Sequence, residues 1–295
     1  MKVIKIEIIS ICIVMHFLVI DLFAQEMETL VAEKQVLLKK FHQSLTFEQD
    51  RKLRAIMVEY QSQMKALFDD FIALAPEPED IGRLQGGPGT QPLISVKKLM
   101  NGVESGLREI LEPDQLQLLH QGMRVEGSKD ISIKGKTNIK NDENVETIPC
   151  NVSDCYYSPY YQEWARYANE LGYSYAYLHY LANPSSSDAY LAYYYGIVAS
   201  YYIKTFMKYA GPTFFAVTYI GNIAYEDNQC YTSIAFYYAE LALNNARYVD
   251  EYAQRAYKTT RTNDAYYSYL LNNYALKYAD YARNYAFYCQ NCCNN

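Results

Sequence analysis

Histidine and tryptophan are scarce, four and one among 295 residues. His16 falls in an apolar leader, which leaves His42, His120 and His179 for imidazole chemistry. Gly-x-Ser-x-Gly, P-loop, dinucleotide-binding and His-Glu-x-x-His patterns are all missing. Without them the common routes to acyl transfer, nucleotide chemistry and zinc proteolysis have no residues to run on, so an enzyme is not expected, nor a cofactor or metal. Basic runs are missing too. No run exceeds two residues, as at Lys39-Lys40, in a chain of formal charge −6. Nucleic acid is gripped by clustered cations, so it is not an expected partner.

What is present begins with a leader. Lys2 and Lys5 precede the apolar run Ile8 to Ile20, and the small residue Ala24 stands before Gln25. That is the pattern of a secretory signal peptide over residues 1–24. The run is short of the ~20 residues of a membrane span, and Glu7 and Asp21 bracket it. Cleavage is therefore expected rather than anchoring, with membrane contact limited to the leader. The expected location is periplasmic or extracellular. Cleavage removes Cys12 and leaves Cys150, Cys155, Cys230, Cys289, Cys292 and Cys293. An even cysteine set in an exported chain points to disulfides.

The mature chain has two chemically distinct halves. Of 33 tyrosines only Tyr60 precedes residue 156; the other 32 lie between Tyr156 and Tyr288. A first helical domain is expected over 25–124, a polar linker over 125–150 with a short hairpin near Ile131 and Ile133, and a helical bundle over 151–295. A Pro/Gly-rich loop, 76–92, interrupts the first half. Asn151-Val152-Ser153 is a glycosylation sequon, relevant only in a eukaryotic secretory pathway.

In the first half, 27–42 reads as a leading helix. Leu53, Met57, Tyr60, Met64, Leu67 and Phe71 step by four and three, the spacing of an amphipathic helix. Val96, Leu99, Met100, Val103, Leu107 and Ile110 make another. Two helix starts look alike. Thr46 can cap a helix while Gln49 reaches back to the cap, a capping box after Leu45. Leu111 and Gln115 frame a second start, with Pro113 at the first helical position and Leu111 and Leu116 as a hydrophobic staple. The threonine is missing from this second copy, where Glu112 is the weaker cap. The pair resembles the LTxxQ signature of the Spy/CpxP family of periplasmic envelope-stress proteins, over about residues 28–124. Leu45, Thr46 and Gln49 match the first motif, and Leu111 and Gln115 the second. The resemblance implies a helical hairpin and chaperone or metal-responsive activity, for which His42 and His120 are the available histidines.

The second half reads as an antiparallel Tyr/Ala-rich bundle, so the fold class is all-α. Turn signals at Asn183–Asp188, Gly211-Pro212, 226–229 and 259–264 divide it into helices 158–182, 188–210, a short 212–225, 230–258 and 264–290. One seam is Tyr161, Trp164, Ala168, Leu171, Tyr175, Leu178 and Ala182. Another is Tyr267, Leu271, Tyr274, Tyr278, Tyr281, Tyr285 and Tyr288. The dipeptide Tyr-Ala recurs nine times. Two stretches free of charge, Asp188 to Lys204 and Lys208 to Glu226, are too short and too rich in tyrosine to span a membrane. Glu163 and Glu170, seven residues apart, have the spacing of a solvated helix face.

Long helices running up, down, up and down would gather all six cysteines at one pole. Disulfides there are the expected chemistry, and a zinc or copper site using the Cys289-x-x-Cys292 spacing is the alternative. The function expected is binding, scaffolding or an envelope-structural role. Tyrosine-rich surfaces suit a protein or glycan partner, or a second copy of the chain, and exposed tyrosines could be oxidatively cross-linked.

Overall fold

The computed structural model describes residues 27–76, 91–125, 152–219 and 232–289. Among them are eight helices and no strand. They are α1 (27–44), α2 (Phe47–Leu74), α3 (Gln91–Ile110), α4 (Pro113–Met123), α5 (Val152–Ala182), α6 (Ser187–Tyr219), α7 (Thr232–Thr260) and α8 (Asn263–Cys289). The all-α expectation holds. The leader and the proposed hairpin at Ile131 and Ile133 lie outside the described residues.

Helices α5 to α8 form a closed square in which α5 touches α6 and α8, and α7 touches the same two. The turn between α7 and α8 is two residues long. Arg261 takes it with a φ of 56°, and its N–H donates to the Tyr257 carbonyl at 2.9 Å. Left-handed backbone at a helix end satisfies a carbonyl the helix leaves open.

Alanine makes the seams of this square. The alanine of all nine Tyr-Ala pairs is buried, but only Tyr167, Tyr175 and Tyr278 among the paired tyrosines are. Of the expected α8 seam, Leu271 and Tyr278 are buried, and the rest of the buried line is displaced by one residue. Ala265, Ser268, Leu271, Asn272, Ala275, Ala279, Ala282 and Ala286 face inward. Tyr267, Tyr274, Tyr281 and Tyr285 are only half-buried and Tyr288 is exposed. A methyl side chain lets helix axes approach, and the adjacent rings then cover the grooves between helices, with the hydroxyl at the rim. The α5 seam is as expected through Leu178, while Ala182 is exposed.

Close approach also depends on two glycines. A Cβ on Gly196 of α6 would fall on the Cβ of Tyr173, and one on Gly172 of α5 would lie 2.6 Å from Asn272 Oδ1.

Two helix boundaries differ from expectation. α5 starts at Val152 and carries Pro159 inside it. Two turns into the helix, the proline forfeits the bond its N–H would make to the Cys155 carbonyl, and Ser158 secures this turn by donating to the Ala282 carbonyl at 2.7 Å. α6 runs through Gly211 and Pro212 to Tyr219, so no break separates a helix there. Residues 220–231 lie outside the described set.

The two halves share cores. Met64, Phe68 and Phe71 of α2, with Val96 and Leu99 of α3, pack with Tyr161, Trp164, Tyr167 and Tyr278. Phe71 meets Trp164, Tyr167 and Tyr274 edge-on at 6.0, 5.3 and 5.5 Å. Leu38 and Phe41 of α1 join Leu53, Leu107, Leu119, Tyr180 and Tyr190 in a second cluster. Tyrosine hydroxyls fasten the join: Tyr167 donates to the Leu67 carbonyl at 3.2 Å and Tyr278 to the Pro76 carbonyl at 2.6 Å. No helix among the described residues is long and apolar enough to cross a membrane.

Candidate binding cleft

The two look-alike helix starts meet in space. Gln49 Oε1 accepts from the Thr46 N–H at 2.9 Å, and Gln115 Oε1 accepts from the Glu112 N–H at 2.9 Å. Each glutamine thus closes its own helix start. The same two amides then bond each other, Gln49 Nε2 to Gln115 Oε1 at 2.9 Å and Gln115 Nε2 to Gln49 Oε1 at 3.1 Å. Gln49 also donates to the Ile110 carbonyl, and Gln115 to the Ser44 carbonyl. Leu111 is buried in the second cluster and Leu45 packs at its edge. These residues are bonded to one another and positioned for folding; they present no free group to a ligand.

The histidines are likewise engaged. His42 Nε2 lies 2.8 Å from the Leu181 carbonyl, and burial lowers its basicity. His179 sits between Thr260 and Thr262 hydroxyls at 3.3 and 3.1 Å, with burial holding its pKa at about 4. His120 Nε2 lies 2.8 Å from Glu104. Among the described residues no group of three His, Cys, Asp or Glu side chains could hold a metal.

Of the six cysteines, Cys155 and Cys289 form a disulfide with Cα atoms 4.8 Å apart, joining the start of α5 to the end of α8. Cys150, Cys230, Cys292 and Cys293 lie outside the described residues. Glu170 departs from expectation. It is buried, not solvated, and one carboxylate oxygen accepts from Arg166 Nε, Lys204 Nζ and Ser200 Oγ at 3.0 to 3.1 Å. Its face of α5 meets α6, which the spacing to Glu163 did not reveal. Glu163 is half-buried, and desolvation raises its pKa.

A concave feature open to a ligand lies where the two halves join. A cleft of about 700 Å³ runs between α3–α4 and α5–α6. Its volume falls in the range of small-ligand sites. Tyr177 and Tyr193 line it as an edge-on pair 5.5 Å apart. Burial pushes both phenols upward, so they stay protonated hydrogen-bond donors. On the opposite wall Glu104 accepts from Arg108 Nε and Nη2 at 3.1 and 2.9 Å and pairs with His120. Arg124 adds an exposed guanidinium at the edge. The arrangement can hold a ring against tyrosine and hydrogen-bond its substituents.

Sequence reasoning did not find Tyr177, Tyr193, Glu104, Arg108 or Arg124 as a group. The Glu104/Arg108 spacing of four was a visible signal, but the halves were read as separate bodies. Compared with known proteins, the chain matches no family model, no curated protein and no solved structure.

Proposed function

We propose that this is an exported, non-enzymatic helical protein that binds a protein or glycan surface through the cleft between α3–α4 and α5–α6. The observation that carries the reading is the Tyr177–Tyr193 pair set opposite Glu104, Arg108 and His120. Tyrosine gives large contact area with little side-chain entropy to lose, and its hydroxyl serves a polar partner. Export is supported by the pattern of residues 1–24 and by the Cys155–Cys289 bond, a linkage that persists in oxidising compartments.

The test is binding of the full chain to glycan and peptide arrays, followed by Tyr193→Ala and Arg124→Ala. An anchoring tyrosine removed from an interface costs about 2 kcal/mol or more, so Tyr193→Ala should weaken capture severely while its melting temperature reports intact folding. Undiminished capture by both variants would remove the cleft from consideration. Fractionation of cells expressing the full chain tests export.

A Spy/CpxP-like chaperone or metal-responsive role draws support from the meeting of Gln49 and Gln115. Against it, the apolar faces of α2 and α3 are occupied by α5 and α8, and His42 and His120 are engaged by different partners. Suppression of aggregation of an unfolded client protein would revive it.

A further inference from the structure

Tyr195 of α6 is held between two rings of α7. Its ring centre lies 4.9 Å from that of Tyr248, at a tilt of 26°, and 5.6 Å from that of Tyr252, parallel to within 1°. Among the described residues no two tyrosine rings come closer than Tyr195 and Tyr248. Tyr195 is buried, whereas Tyr248 is 48% exposed. Other parallel pairs, Tyr209–Tyr238 at 5.6 Å and Tyr257–Tyr269 at 6.2 Å, are wider. The Tyr161–Tyr285 pair is 5.7 Å apart and Tyr161 is fully buried. Among the described tyrosines only the α6–α7 stack combines approach below 5 Å with a ring more than a third exposed.

That combination is what oxidative coupling of phenols requires. An exposed ring can meet a one-electron oxidant and release its proton to water. A stacked neighbour shares the electron deficit through its π face. Coupling within one chain then outruns coupling between chains, because the second phenol is already in contact. Burial raises the Tyr252 phenol, the Arg255 guanidinium over its ring opposes the rise, and Glu251 and Asp188 add to it, so charged side chains flank the stack.

We propose that Tyr195 and Tyr248 are a modification site at which a peroxidase-class one-electron oxidant joins α6 to α7 by a carbon–carbon bond. Each phenol gives up one electron and its hydroxyl proton. The two phenoxyl radicals join at ring carbons ortho to oxygen. The hydrogens on those carbons move to the oxygens and restore both hydroxyls. The sum converts two tyrosines into one dityrosine and releases two electrons and two protons. Hydrogen peroxide takes up both pairs and becomes two waters. The product fastens α6 to α7, as the Cys155–Cys289 bond fastens α5 to α8.

The experiment treats the full chain, at low concentration, with a haem peroxidase and limiting hydrogen peroxide. The product is then digested and its peptides sequenced by mass spectrometry. A monomeric product is expected, with one peptide pair linking Tyr195 to Tyr248 and lighter than its parts by two hydrogens. Tyr248→Phe should lose that pair while keeping the helical circular-dichroism signal. A link from Tyr195 to Tyr252 instead would overturn the assignment. So would monomer without tyrosine coupling, or coupling confined to links between molecules, for example through Tyr201, Tyr266 or Tyr288, the other exposed tyrosines among the described residues.

Discussion

Gln49 and Gln115, 66 residues apart in sequence, exchange hydrogen bonds through their side-chain amides. Each closes its own helix start, so the pair locks the first turn of α2 to the first turn of α4. Gln115 is buried. Replacing it with alanine leaves the Gln49 amide and the Ser44 carbonyl short of a partner, at a cost of about 1–3 kcal/mol. The double variant Gln49→Ala, Gln115→Ala should cost less than the sum of the singles, with a coupling of roughly 0.5–3 kcal/mol. Urea denaturation of the three variants measures it, and strict additivity would mean the pair does not act as a unit.

Gly196→Ala sets two effects against each other. Alanine favours helix over glycine by about 1 kcal/mol. Its methyl, however, would fall on the Cβ of Tyr173. Overpacking of a tight helix contact costs typically 1–3 kcal/mol, and the packing effect should win. A lowered melting temperature is expected; a rise would show that α5 and α6 can separate without loss.

The Cys155–Cys289 bond spans 134 residues. Closing so long a loop restricts the unfolded chain by roughly 5 kcal/mol in the loop-entropy account. Cys155→Ala should lower the melting temperature accordingly. Peptide mapping without reductant should recover the Cys155–Cys289 pair. Its absence from oxidised protein would remove the clasp.

Asp264 and His179 give opposite pH dependences. Burial raises the Asp264 carboxyl from 3.8 to about 6, with Gln61 opposing the rise by donating to it at 2.6 Å. Between pH 3.8 and 6 the unfolded chain therefore releases this proton first, and stability falls as pH rises. Burial lowers His179 from 6.5 to about 4. Between pH 6.5 and 4 the unfolded chain takes up that proton first, and stability falls as pH drops. Each shift is worth roughly 3 kcal/mol, so the two nearly cancel across their shared window. Asp264→Asn should stabilise the protein at pH 7 by up to roughly 3 kcal/mol and leave the His179 slope uncovered, with stability then falling from pH 6.5 to 4. Denaturation midpoints across pH measure this; a variant that ran parallel to the parent would rule it out.

Periodicity in the sequence was enough to place most helices. Leu53, Met57, Met64 and Phe71 occupy the core side of α2 as their spacing indicates, because an amphipathic helix has one solution. Where a helix is apolar nearly all round, periodicity loses its meaning. α5 buries Tyr161, Gln162, Trp164 and Ala165 on successive faces, so its spacing could not tell which face met α8 and which met α2. Proline and glycine were given too much weight. Pro159 is carried inside α5, and Gly211-Pro212 is carried through within α6. The cleft escaped notice because Tyr177 and Tyr193 belong to one half and Glu104 and Arg108 to the other. Only the packing of α3 and α4 against the bundle brings them together.

The central place of α5 has a consequence for how the chain is made. Tyr161 and Trp164 find their stacking partners in Tyr278, Tyr281 and Tyr285, and Cys155 finds its partner in Cys289. Those partners lie on α8, more than a hundred residues after Cys155. Phe71 of α2, made much earlier, waits for Tyr274 in the same way. The core cannot close until α8 has emerged, so a chain cut or stalled before α8 exposes its most aromatic surface.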